Sequence, residues 1–431
     1  MKILVDSDVC IEFLYYKAYY NANRLLIIEL CLIVWYKTNS MKKKFHIADD
    51  AEIFNGKVTD IYFHRTLEIL KRKTLDKPVV MEVRTRSLPH SWQWGILAGV
   101  EEAVNLFENK RVNLEILPEG TVFYPGEPVA EISGMYQEIC LYETAMLGLL
   151  CQATGIATTA ARCRIAAGGK SLLSFGARRM HPAIAPMIER SAYIGGCDGV
   201  STVAGAELIG IEPSGTMPHA LVLLIGGTVA ATKAFHGIID KKIKRIALID
   251  TFQDEKFEAV NVAKAIGKSL YAVRIDTPAS RRGNFKELIK EVRWELDLRG
   301  FKNVRIFVSG GIDEEKIREL SGVADGYGVG TAISNSPSVD FALDIVELNG
   351  EPIAKRGKES GKKFLFRCEK CFTDYIKTEY NKKLYCNCGG KLKNMMVKFI
   401  KNGKVIKGLS MPDKIRDYVL AQIKNPEISG G

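Results

Sequence analysis

A chain of 431 residues with 47% apolar and 26% charged residues has the make-up of a soluble globular protein, with room for two or three domains. The net charge of +11 is localised: the segment from Glu351 onward carries 19 Lys and Arg against 8 Asp and Glu, and the preceding residues balance. This excludes a uniformly polycationic chain and leaves a basic tail, either a solvated face or one that attracts an anionic substrate or polyanion.

Residues 1–40 differ from the rest. Leu25–Tyr36 is an apolar run broken by Glu29, short of the roughly 20 residues a membrane-spanning helix needs. It lacks the small-residue cleavage site of a signal peptide. Met41-Lys42-Lys43-Lys44 reads as a second start. Residues 1–40 are therefore expected to be an N-terminal extension or a start-site artefact, with an amphipathic appendage as the alternative.

Residues 41–167 are expected to form an α+β domain. Tyr62–Lys71 has helical spacing, Pro78–Arg84 reads as a strand, and Val112–Gly134 alternates short strands with Pro- and Gly-rich turns. A long helical stretch, Glu138–Ala167, follows. Residues 168–350 alternate strand and helix. Strand candidates are Leu172–Phe175, Leu221–Ile225, Arg245–Ile249, Leu270–Arg274 and Val304–Val308; helix candidates include Phe257–Ile266 and Phe285–Leu298. Repeated βα units imply a parallel sheet or barrel. The units fall short of eight, so the fold class is α/β, an irregular or incomplete parallel β/α barrel with an N-terminal α+β sandwich domain. Residues 351–431 form a basic C-terminal subdomain that closes with a helix, Pro412–Lys424.

The tail holds Cys368-x-x-Cys371 and Cys386-x-Cys388. This spacing suits a tetrahedral thiolate site for structural Zn²⁺, with Gly389 and Gly390 permitting the second knuckle; a redox pair is the alternative. Four thiolates would leave no open position for catalysis. The other six cysteines, at 10, 31, 140, 151, 163 and 197, are scattered through mostly apolar runs. They are expected as small buried hydrophobes in a reducing cytoplasm.

The glycine-rich motifs carry the chemistry. Ser174-Phe175-Gly176-Ala177-Arg178-Arg179 ends an apolar run, and Gly195–Gly199, Gly215–His219, Arg274–Thr277, Ser309–Gly311 and Gly326–Thr331 follow. Phe175, Asp250, Arg274 and Ser309 fall at or just past the carboxyl ends of strands, where α/β barrels place their sites. Glycines let backbone amides approach phosphate oxygens. Arginine matches carboxylate or phosphate bidentately, and an aromatic face stacks on a flat ring. The set suits a ligand planar at one end and strongly anionic at the other. In isolation, Phe-Gly-x-Arg is a core ring beside a solvated cation, Asp250 a strand-end cap, and His219 a satisfied polar histidine.

From about Lys42 onward the chain resembles the archaeal-type nicotinate phosphoribosyltransferases. They belong to the type II phosphoribosyltransferase superfamily, with quinolinate and nicotinamide phosphoribosyltransferases. The resemblance rests on the Ser-Phe-Gly-x-Arg-Arg, Gly-Thr-x-x-His and Gly-x-Gly-Thr blocks in order, and on the four-cysteine tail. It implies phosphoribosyl transfer from phosphoribosyl pyrophosphate to nicotinate in NAD salvage. It implies that Phe175 and a neighbouring subunit's Tyr62 sandwich the pyridine ring in a homodimer or higher oligomer. Arg274 would hold the carboxylate, with Thr216 near the nicotinate and Asp276 near the ribose hydroxyls. Arg178 would contact phosphate and Asp198 would lie near the base. Gly310, Gly311, Gly328, Gly330 and Thr331 would cradle the ribose 5-phosphate. His219 matches a histidine phosphorylated in ATP-coupled members; the resemblance admits ATP without requiring it.

Such a reaction needs no protein nucleophile, because its transition state is oxocarbenium-like; positioning and electrostatics suffice. Asp276 and Asp250 could stabilise the cationic sugar and help hold Mg²⁺, which favours oxygen ligands and substrate phosphates. Quinolinate phosphoribosyl transfer is the alternative within the superfamily, and a zinc-ribbon nucleic-acid-binding protein the alternative outside it. The tail lacks interleaved aromatics for base stacking, so nucleic acid is not the expected partner, nor is a membrane.

Overall fold

The computed structural model describes residues 43–380, 384–425 and 428. The extension 1–40, the second start at Met41 and the run Leu25–Tyr36 lie outside the described residues, as do Cys10 and Cys31. The chain divides into Met1–Asp49 and Asp50–Gly431. In the first unit, Lys43 Nζ donates to the Ile47 carbonyl at 3.0 Å and pairs with Asp49 at 3.5 Å. The second unit carries everything that follows.

Two sheets organise it. The first has seven strands in the order Glu351–Pro352, Ala342–Leu348, Pro78–Arg84, Pro128–Met135, Val112–Ile116, Val397–Lys401 and Lys404–Val405, all antiparallel. Its central strand, Pro-Val-Val-Met-Glu-Val-Arg, is rich in valine, and Val79, Met81 and Val83 are buried. The second is a curled parallel half-barrel of six strands, ordered Gly199–Val200, Ser171–Ser174, Gly326–Val329, Arg305–Val308, Leu270–Ile275 and Arg245–Leu248. Six strands do not close a barrel, in keeping with the count of βα units in the sequence.

The helix Glu143–Ala167 joins the two layers. Its early residues Met146 and Leu150 pack into the core of the antiparallel sheet. Its later residues Ile156, Ala160, Cys163 and Ala167 pack into the half-barrel core. Apolar on most sides, it is a buried core helix. With the residues preceding it, from Tyr136, it is long and apolar enough to cross a membrane by length and composition, yet its packing is that of a protein interior.

Three expectations change. Leu221–Ile225 is not a strand but most of the helix His219–Ile225, with Val222 buried and Leu224 86% exposed. A short apolar run does not distinguish the two by periodicity; Pro218 starts the helix and Gly226, at φ +88°, stops it. Gly326–Val329, not among the strand candidates, is a strand, and close packing fixes its first glycine, since a Cβ at Gly326 would lie 2.4 Å from the Phe307 ring. Finally, the sheets cut across the boundaries drawn near residues 167 and 350. Ala342–Leu348 pairs with Pro78–Arg84, and Val397–Lys401 with Val112–Ile116. Among the described residues after 350, only the ribbon Phe364–Cys368, Asp374–Lys377 and Leu392–Asn394 makes a sheet of its own.

Candidate active site

The carboxyl ends of the parallel strands surround a cleft of about 830 Å³. Phe175 follows the strand Ser171–Ser174 and is held by its amide, which donates to the Val329 carbonyl at 2.8 Å. The neighbouring strand makes room for the ring: a Cβ at Gly328 would sit 2.4 Å from Phe175 Cδ2 and Cε2. The short turn Ala177–Arg179 carries Arg178 and Arg179 exposed at the rim.

Arg274 projects from the strand Leu270–Ile275. Its Nη1 donates to Thr216 Oγ1 at 2.6 Å and its Nη2 lies 3.7 Å from Asp276 Oδ2. The guanidinium carbon is 5.9 Å from the Phe175 ring centroid. Nε has no hydrogen-bond partner among the described residues. Burial lowers the Arg274 pKa, and Asp276 and Asp250 oppose that shift. A guanidinium withdrawn from water and only partly compensated gains most from an anionic ligand.

His219 begins its helix within reach of two carboxylates. Its Nε2 is 3.6 Å from Asp250 Oδ2 and 3.8 Å from Asp276 Oδ2, while Nδ1 shares a hydrogen bond of 3.0 Å with Thr251 Oγ1. Asp276 is oriented by Ser309, whose hydroxyl donates to Oδ1 at 2.6 Å. The Asp250 side chain is 2% exposed, and its Oδ1 has no partner among the described residues. Burial raises its pKa, which His219 opposes and Asp276 reinforces. An unpaired oxygen on one of two neighbouring carboxylates fits a site that receives a cation. Gly310 lies directly against Asp276, and Gly310 and Gly311 take φ of +79° and +67°, conformations natural to glycine. Arg282 Nη1 donates to the Gly310 carbonyl at 2.7 Å and braces that loop from behind.

The fold thus brings Phe175, Arg178, Thr216, His219, Arg274, Asp276, Gly310, Gly311, Gly328, Gly330 and Thr331 to one cleft, with Asp250 behind His219. Tyr62 does not line it: it sits 55% exposed on the helix Ile61–Arg72. Asp198 is a correction. It precedes the strand Gly199–Val200, at the end of the sheet away from the cleft. Its carboxylate accepts from Arg164 at 3.0 Å, Arg416 at 2.5 Å and the Leu172 amide at 2.9 Å. Those partners consume it, and it ties the helix Pro412–Gln422 to the half-barrel. Sequence reasoning missed Ser201, Thr202 and Ser214, whose residues line the cleft, and Thr251, which positions His219; it singled out Ser309 but not its role in orienting Asp276. Only Ser309, inside a motif already singled out, carried a visible signal.

In the tail, the sulfurs of Cys368, Cys371, Cys386 and Cys388 all lie within 4.8 Å of one another and could hold a metal ion. Gly389, at φ +78°, turns the second knuckle, and a Cβ at Gly390 would meet Cys368 Sγ at 2.5 Å.

Comparison with known proteins agrees with this geometry. Residues 60–154 match the family described as quinolinate phosphoribosyl transferase, N-terminal domain, and residues 156–344 match its C-terminal domain. Nicotinate phosphoribosyltransferase pncB1 of Mycobacterium tuberculosis H37Rv is 32% identical over 344 residues, covering 71% of this chain and 76% of that protein. A crystal structure of nicotinate-nucleotide pyrophosphorylase from Pyrococcus furiosus superposes with a TM-score of 0.87 at 52% identity, covering 89% of this chain and 98% of the other. Human nicotinic acid phosphoribosyltransferase, at 19% identity and a TM-score of 0.69 over 86% and 95% of the two chains, shares the fold. The ordered cleft and these relatives together establish that the chain belongs to the nicotinate phosphoribosyltransferase family of type II phosphoribosyltransferases.

Proposed function

We propose that the protein transfers the phosphoribosyl group of phosphoribosyl pyrophosphate to nicotinate, forming nicotinate mononucleotide and pyrophosphate in NAD salvage. The pyridine nitrogen forms the new bond to ribose C1 as the bond from C1 to the pyrophosphate oxygen breaks, and pyrophosphate leaves with that electron pair. The observation that carries this reading is the pairing of the Phe175 ring with the half-buried Arg274 guanidinium. A flat ring bearing one carboxylate satisfies both. Neutral nicotinamide would leave Arg274 with only the partial compensation of Asp276 and Asp250. Quinolinate carries a second carboxylate; the other cleft arginines, Arg178 and Arg179, stand exposed at the rim.

Residue roles follow from position. Arg274, held by Thr216, binds the nicotinate carboxylate. Gly310, Gly311, Gly330 and Thr331 present backbone to the 5-phosphate, and Arg178 supplies positive charge to the phosphates. Asp276, locked by Ser309, and Asp250 lie where they can stabilise positive charge developing on the ribose. The same carboxylates would help hold Mg²⁺, which would neutralise the pyrophosphate leaving group. His219, poised between them, is the group that ATP would phosphorylate if the reaction is ATP-coupled. Zn²⁺ in the four-cysteine site would be structural. We further assign Tyr62 to the cleft of a second subunit, on the family resemblance and its exposure, in a homo-oligomer of the cytoplasm.

Product analysis with nicotinate, nicotinamide and quinolinate, each with and without ATP, tests the assignment. Pyrophosphate should be released only when nicotinate and phosphoribosyl pyrophosphate are both present. Turnover of quinolinate in preference would overturn it. Activity should fall when subunits are separated by dilution; full activity of the monomer would remove Tyr62 from the site.

A further inference from the structure

A second cavity, of about 660 Å³, lies at the other end of the parallel sheet. One wall is a single face of the helix Phe285–Leu298, formed by Lys290, Arg293, Trp294 and Asp297 at spacings of three, four and seven residues. The other wall is made by the segments that lead into three strands. Lys170 precedes Ser171–Ser174, Lys302 and Arg305 open Arg305–Val308, and Asp325 precedes Gly326–Val329. Those strands run on to Phe175, Ser309 and Gly330, so the same three strands separate this cavity from the active site.

Its charge is only partly compensated, with Lys290 paired to Glu287 at 2.8 Å on the same helix. Five cations face two carboxylates, and both carboxylates are engaged. Asp297 pairs with Arg293 at 2.7 Å, and Asp325 Oδ2 accepts from the Ile306 amide at 2.8 Å. Arg293 is also fixed by the carbonyls of Phe301, at 3.0 Å, and Val304. Lys302 is exposed and has no ion-pair partner among the described residues. Arg305 is exposed and donates to the neutral Tyr271 hydroxyl at 2.9 Å. Beside these charges the Trp294 indole stands 69% exposed. A large amphipathic ring left in water next to free cations is costly as decoration and suited to stacking.

We propose that this cavity is a second ligand site, for a nucleoside polyphosphate, with the base on Trp294 and the phosphates against Lys302, Arg305 and Lys290. Charge separates this occupant from a second copy of the chain: a two-fold contact would set the same cations against one another. The site differs from the cleft in lacking the paired carboxylates and glycine turns of the reaction, so it binds without turning over.

Calorimetric titration of the full-length protein with ADP tests it, in wild type, the double variant K302E/R305E and W294A. Wild type should show a class of sites that K302E/R305E weakens by at least about tenfold, close to 1.4 kcal/mol, while its turnover of nicotinate stays unchanged. W294A should weaken ADP by about fivefold or more and leave tripolyphosphate nearly unaffected, the difference being the stacked base. ADP affinity unchanged in K302E/R305E would place all ADP elsewhere and overturn the proposal. Equal weakening of ADP and tripolyphosphate in W294A would overturn the stacking. A change of oligomeric state in K302E/R305E without a change in ADP binding would make the surface a subunit contact instead. If the double variant loses activity, the comparison of the two ligands in W294A decides.

Discussion

The Arg274 guanidinium carbon, on the strand Leu270–Ile275, lies 5.9 Å from the centroid of the Phe175 ring, just past the strand Ser171–Ser174, so the two side chains meet in the cleft. Replacing Arg274 with Ala removes a charged hydrogen-bonding partner worth about 1.5–3 kcal/mol. Steady-state kinetics should show a rise of roughly ten- to a hundredfold in KM for nicotinate and a much smaller one for phosphoribosyl pyrophosphate. Equal changes in both would deny Arg274 the carboxylate.

The other half of this pair depends on an absence. A Cβ at Gly328 would lie 2.4 Å from the Phe175 ring. Gly328→Ala should therefore displace the ring, cost about 1–3 kcal/mol of stability, and lower kcat/KM for nicotinate more than tenfold, since misplacement at this scale is felt in the chemistry. Unaltered kinetics in a folded variant would show that the ring position is immaterial.

Asp198 should behave as a brace. Its bonds to Arg164 and Arg416 tie the closing helix to the half-barrel. Because the carboxylate is 36% exposed, the loss on Asp198→Ala should be modest, about 1–2 kcal/mol. It should appear as a lower melting temperature with KM for both substrates unchanged. A selective rise in one KM would return Asp198 to the binding site.

The four-cysteine ribbon should carry a metal. Elemental analysis of purified protein should find zinc, and Cys388→Ser or a strong chelator should release it and lower the melting temperature. KM for nicotinate in the surviving folded fraction should stay as it was, because a site closed by four sulfurs offers no position to substrate. Protein purified free of any metal with unchanged stability would refute the assignment.

Glu127 supplies a pH dependence of stability. It is 6% exposed; burial, reinforced by Asp374, pushes its pKa up to about 8. Asp374 is itself gripped by Arg367, at 2.7 Å through Nε and 2.5 Å through Nη2. Folded protein therefore holds a proton that unfolded protein releases near the ordinary carboxyl pKa of about 4.3. The stability contribution is complete below that value and is lost as pH rises to about 8. Denaturant titrations between pH 5 and about 8 should show Glu127→Gln gaining stability relative to wild type as pH rises. A constant difference across that range would mean the carboxyl titrates normally.

Much of this protein is written locally. Pro78–Arg84 and Phe285–Leu298 form the elements their patterns predict, because valine-rich alternation and helical spacing act over a few residues. Phe175, Arg274, His219 and the glycine turns were singled out from residue type and position at strand ends, and folding brings them to one cleft. The cysteine spacing announced in the same way the four-sulfur cluster that could hold a metal ion. What only the tertiary structure decided is non-local. Asp198 faces Arg416, 218 positions away, and not the cleft. Thr251 and Ser309 acquire roles only when folding sets them against His219 and Asp276. Leu221–Ile225, a short apolar run whose periodicity leaves helix and strand open, folds as a helix with Val222 buried and Leu224 exposed. Val397–Lys401 pairs with a strand almost 300 residues earlier in the chain. Propensity and periodicity act along the chain, whereas partner choice depends on which surfaces the packed layers bring together.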